Sequence, residues 1–137
     1  MAYEDEMVEQ DDDGAALVGM PGGENIPSPD LIAKWHKQFP KCQLRGFPFP
    51  DLYIVYRSYT MSEQDELARE RAKVEMETGK DITTFENNKI ILNKFVLWPK
   101  NFIEMYENDE LPAGIPNTIV GQILMNSGYV DLVPEIL

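Results

Sequence analysis

From Ser28 onward the apolar positions of this chain fall into short periodic runs, and each period predicts an element. Leu31, Trp35 and Phe39 recur every four residues, which is the spacing of one helix face. Ser28 suits the N-cap, Pro29 the first helical position, and Asp30 the positive end of the helix dipole. Pro40 then stops the helix. His36 falls beside the stripe and is expected at the surface. Cys42 and Leu44 alternate with polar neighbours, and "LYIVYRSY" is rich in β-formers, so an antiparallel hairpin is expected around the loop "GFPFPD". Within it, Leu52, Ile54 and Tyr56 share one face, and Tyr53, Val55 and Arg57 the other.

Helical punctuation returns after the hairpin. Thr60 and Glu63 stand at capping-box spacing and Gly79 closes the strongly charged segment between. Residues 81–84 can cap a further helix running through "FENNKIILNKFVLWP", with Phe85, Ile91, Leu92, Phe95 and Val96 as its buried side and Pro99 at its end. "NFIEMYEN" adds a turn or two. The last helix is expected from about Pro116 to Ser127, with Ile119, Val120, Ile123 and Leu124 as its stripe and Gly128 as its left-handed stop. The fold class is therefore α+β: one hairpin packed with about four helices in a single domain over residues 28–137. Leu31, Trp35, Phe39, Leu92, Phe95, Val96, Ile119, Ile123 and Leu124 are the expected core.

Residues 1–27 break this pattern. Seven acids and no base occupy the first thirteen positions, and five of the next fourteen are glycines or prolines upstream of Pro27. Such a composition cannot build a core. We expect a flexible acidic arm that is disordered or orders on a partner, with "AALVGM" at residues 15–20 as a small apolar anchor. The arm also explains much of the net charge of −12, which arises from 24 acids against 12 bases. The remainder is only mildly acidic. Neither nucleic-acid binding through phosphate neutralisation nor attachment to an anionic membrane is expected of this balance.

The inventory of reactive groups points away from an enzyme. Cys42 is the only cysteine and His36 the only histidine, so no internal disulfide and no cysteine cluster for zinc can form. Carboxylates abound on the charged helix, but catalytic or metal-binding carboxylates converge from several elements. A solvated helix face is the simpler reading. No catalytic residue, cofactor site or metal site is assigned. No window is long and apolar enough for a membrane span, and the acidic start lacks the layout of a signal peptide; a cytosolic location is expected.

The order "YRSYTMSEQDEL", then "VLWP", an acidic gap, "LPAGIPNTIVGQIL" and "SGY" resembles small proteins encoded in the tail-gene clusters of contractile-tailed bacteriophages. These include the baseplate hub assembly and tail assembly chaperone group of T4-like and giant phages. The likeness covers about residues 30–130. Trp98 and Pro99 match that group's "WP" pair, and Leu111, Pro112, Ala113, Gly114 and Pro116 match its loop. Tyr129 replaces a phenylalanine, and the acidic arm lies outside the pattern. The resemblance implies a non-enzymatic assembly protein acting through contacts with other phage tail or baseplate proteins, in the host cytoplasm during virion morphogenesis. A permanent structural place in the virion tail is the alternative, and self-association within the assembly is left open. On this reading Leu17, Val18, Trp98, Pro99, Leu111, Pro112, Ile115 and Tyr129 are the candidate partner contacts.

Overall fold

The computed structural model describes residues 26–129 and 136–137. Eight elements follow in chain order: α1 (Pro29–Gln38), β1 (Leu44–Phe49), β2 (Leu52–Arg57), α2 (Met61–Thr78), α3 (Thr84–Phe95), β3 (Val96–Trp98), α4 (Phe102–Glu107) and α5 (Ile115–Asn126). This is a small α+β domain, as the sequence pattern predicts.

The predicted signals place the helix ends. Ser28 Oγ accepts from the Leu31 N–H at the start of α1. Thr83 Oγ1 accepts from the Glu86 N–H while Glu86 Oε1 accepts from the Thr83 N–H, a reciprocal cap at the start of α3. Gly79 ends α2 at φ 70, a backbone region that costs glycine nothing and other residues strain.

The sheet is antiparallel in the order β1-β2-β3. Its hairpin is tighter than expected. Gly46, Phe47, Pro48 and Phe49 belong to β1, and only Pro50 and Asp51 turn the chain, with Phe49 paired to Leu52 and Asp51 at φ 62. Pro48 is tolerated because β1 is an edge strand, where a missing N–H need not break a ladder bond. Gly46 is required for another reason: a Cβ built there would lie 1.9 Å from the Tyr53 hydroxyl, since that ring folds back across the strand.

"VLW" is the main correction. We expected these residues to finish a helix, but α3 stops at Phe95 and residues 96–98 form β3, paired with β2 through Val55–Trp98 and Tyr56–Val96. Two β-branched or aromatic residues flank Leu97, and pairing with the open edge of β2 satisfies backbone groups that a further helical turn would leave against Pro99.

Ile54, Tyr56 and Tyr59 pack with Leu67, Ile91, Leu92, Phe95, Phe102, Tyr106, Ile115, Ile119, Val120 and Ile123 in one core. Helix α3 lies at its centre, against α5, α2 and α4, and α5 also rests on β2. Of the expected core, Trp35, Leu92, Phe95, Ile119 and Ile123 are buried, while Leu31, Phe39, Val96 and Leu124 are half-buried. Phe85 is instead 51% exposed, because it stacks one face on Tyr106 at the rim, with ring centroids 4.6 Å apart. Ile26 and Pro27 are buried, so the folded body begins before the boundary expected at residue 28. The rest of the expected arm lies outside the described residues.

Candidate functional site

Arg57, the last residue of β2, organises one end of the domain. Its Nη1 and Nη2 donate to Glu63 Oε1 and Oε2 at 3.0 and 2.7 Å, a two-pronged charge-assisted pair. The guanidinium carbon lies 4.2 Å from the Phe39 ring centroid and 4.9 Å from that of Phe95. Nη1 also donates to the Ser58 carbonyl at 3.2 Å and points at Cys42 Sγ, 3.4 Å away. Arg57 is buried and Glu63 about one-fifth exposed.

Glu63 has a second task. Its Oε1 accepts the Thr60 N–H at 3.0 Å, so the carboxylate that holds Arg57 also caps α2. The hydrogen bonds from Arg57 hold the Glu63 carboxyl below the usual range; burial opposes them, and the Thr60 N–H assists. One carboxylate thus joins the end of a strand to the start of an 18-residue helix.

Beside this pair the start of α2 meets the end of α5. The Tyr59 ring stacks on Phe95 with centroids 4.6 Å apart and meets Tyr129 at 6.2 Å. Its N–H donates to Ser127 Oγ at 3.0 Å, and the Tyr129 hydroxyl donates to Gln64 Oε1 at 2.9 Å. Burial, then the neighbouring Tyr129, push the Tyr59 phenol up to about 12. Between the two helix ends runs an open groove of about 530 Å³, lined by Lys41, Thr60, Met61, Asp65, Gly128 and Tyr129 among others. Met61 is 89% and Tyr129 54% exposed there.

The groove offers an aromatic edge, a thioether, one cation and one carboxylate, a set suited to contact rather than bond-breaking. Among the described residues, no group of three or more His, Cys, Asp or Glu side chains is arranged to hold a metal ion, and no helix is long and apolar enough to cross a membrane. His36 is exposed on α1 and Cys42 is half-buried beside Arg57.

The sequence-predicted contact residues divide among several places. Leu17 and Val18 lie outside the described residues. Trp98 is half-buried in β3, opposite Val55, rather than in the last turn of a helix as expected. Pro99 is half-buried, follows Trp98 through a cis bond, and its carbonyl accepts the Phe102 N–H that opens α4. Leu111 packs half-buried against the core, Pro112 is exposed, and Ile115 is 6% exposed within the core. A side chain so enclosed serves packing, so Ile115 is withdrawn as a contact. Among the described residues of the set, Tyr129 alone lines the groove. Sequence reasoning missed Tyr59, Met61 and the Arg57–Glu63 pair; the capping box at Thr60 was the one signal that marked the place.

No known protein family, curated protein or solved structure matches the chain.

Proposed function

We propose that the protein is a non-enzymatic assembly factor of a contractile bacteriophage tail or baseplate, working through protein–protein contacts. Its docking surface on this reading is the groove between the start of α2 and the end of α5. The carrying observation is the exposure of Met61 and Tyr129 around that groove, on backbone held by Glu63 and Ser127 and with the Tyr129 hydroxyl bonded to Gln64. Fixed backbone limits the ordering cost of association, and a methionine beside a tyrosine gives adaptable apolar contact with a polar tip. The tail assignment draws on the motif order described in the sequence; the surface supports the contact role alone.

The test is complementation in cells infected by a phage lacking this gene. Met61→Glu combined with Tyr129→Ala, both at exposed side chains, is expected to leave the fold intact and to cut the yield of complete tails at least tenfold. Normal tail yield from the folded double variant would refute the groove as the docking surface. A stoichiometric band in purified particles would place the protein as a permanent component rather than a transient factor.

A further inference from the structure

The charge of this chain is distributed with a bias that neither its net value nor the groove explains. Residues 26–45 hold four bases, Lys34, Lys37, Lys41 and Arg45, against the single acid Asp30. The other basic run, residues 87–103, holds three bases, of which Lys89 is paired with Glu107 and Lys94 with Glu66 and Glu70. All four bases are exposed. Lys34 and Lys37 lie one turn apart on α1, where side chains three apart are neighbours. Lys41 follows in the turn that leaves α1, closed by the Cys42 N–H donating to the Phe39 carbonyl. Arg45 stands on the edge strand β1 and donates to two neutral acceptors, the Leu44 carbonyl and Gln43 Oε1. Its charge is left unspent by those bonds. The opposing charges are few: Asp30 sits one turn from Lys34, and Asp65 shares the groove with Lys41. Glu63 is committed to Arg57.

We infer that the basic segment running from α1 into β1, residues 34–45, is the docking site for the chain's own acidic segment, residues 4–13. Complementarity is the first argument: seven carboxylates without a base stand against four exposed cations with one acid among them. Reach is the second. The twelve residues from 14 to 25 connect the acidic segment to Ile26, immediately before α1, and span up to about 40 Å when extended. That is ample for a return to any point on α1 or the edge of β1. Individual exposed ion pairs contribute only about 0–1 kcal/mol each, so the docking rests on several acting together. The tether supplies the rest, because a short connection holds the two charge sets at an effective concentration in the millimolar range. The contact is salt-sensitive by nature, since charges separated by more than about 10 Å are screened at 0.1 M. It reserves the basic segment from other acidic surfaces and goes beyond the groove, which lies at the start of α2.

The test uses the full chain with Ala2→Cys and Cys42→Ser, a nitroxide on residue 2, and isotope labelling for backbone amide spectra. Serine at position 42 keeps a polar acceptor for Arg57. At 50 mM salt the amides of residues 34–45 are expected to lose about half their intensity or more, and to recover at 0.5 M. The same recovery at low salt is expected when the seven acids of residues 4–13 are replaced by their amides, changes that leave the folded body untouched. Lys34→Gln, Lys37→Gln and Lys41→Gln together should act likewise. No attenuation at low salt, or attenuation that survives the amide variant, would overturn the inference. So would attenuation in an isotope-labelled chain without nitroxide when mixed with a nitroxide chain, because that places the arm on a second copy.

Discussion

Removing the Glu63 carboxylate should unfasten two elements at once. In Glu63→Ala the buried Arg57 guanidinium loses both of its carboxylate bonds and the Thr60 N–H loses its cap. Breaking a buried pair from one side costs about 3–5 kcal/mol. Glu63 is 22% exposed, so water recovers part of that and the lower end applies, while the lost cap adds about 1 kcal/mol. The expected destabilisation is therefore about 3–4 kcal/mol, a large share of the ~5–15 kcal/mol that holds a typical domain. Glu63→Gln keeps an oxygen for Thr60 and removes the charge, so it should cost roughly half as much.

The pH dependence separates charge from shape. Because Arg57 lowers the folded-state pKa of Glu63, this contribution is fully present above the unfolded value of about 4.5 and is lost as pH falls through the folded value. Urea unfolding at pH 7 and at pH 3 should show the gap between wild type and Glu63→Gln shrinking toward zero in acid. A gap that stays constant between the two pH values would show that the carboxylate acts by shape alone, and the electrostatic account would fail.

Three further outcomes are expected. Phe95→Ala empties the point where Tyr59, Arg57 and the core meet, at a side chain with no exposure, and should cost about 3–5 kcal/mol in denaturant melts. Trp98→Ala should cost less than Phe95→Ala in the same assay, since Trp98 is half-buried on a three-residue strand. The Tyr59 phenol, pushed up to about 12, should be absent from the ultraviolet tyrosinate signal at pH 11. A group raised in the fold contributes stability present below its unfolded value near 10 and lost as pH rises through the folded one. Tyr59→Phe should accordingly flatten the loss of stability between pH 10 and 12, and an unchanged profile would remove burial of Tyr59 as its cause.

Local signals in the sequence carried far and pairing signals did not. The caps at Ser28 and Thr83 and the stops at Gly79 and Gly128 were legible because each is decided by residues within four positions. The stripe of α5 was legible because one helix face meets one core. β3 was hidden because three residues are too few to show a period of two, and what makes them a strand is the free edge of β2, forty residues away. Phe85 was misplaced for a related reason: periodicity assigns it inward, while the short helix α4 offers Tyr106 for stacking at the rim. The Arg57–Glu63 pair spans a strand end, a bend and a helix start, and no periodic pattern crosses such a boundary. Of the residues around the groove, the closing "SGY" pointed to Tyr129, whereas no periodic signal marked Met61 at the start of its charged helix.

The same boundary explains why the groove is firm although it is made of helix ends. Gly128 at φ 100 reverses the backbone after α5, which returns Tyr129 over Tyr59 and within reach of Gln64. The Tyr129 N–H donates to the Leu124 carbonyl and the Ser127 hydroxyl to the Ile123 carbonyl, adding to the bonds both carbonyls accept from the Ser127 N–H at the helix end. On the facing wall Thr60 is fixed by Glu63, and Glu63 by Arg57. Each wall is therefore tied to the core through Tyr59 or Arg57, both of which pack on Phe95. An exposed Met61 carried on such a wall keeps its side-chain freedom on backbone that follows directly from the tied Thr60. On the proposed docking role, association at this surface would chiefly order side chains, at about 0.5–1.5 kcal/mol for each one immobilised, with the larger backbone cost already met by folding.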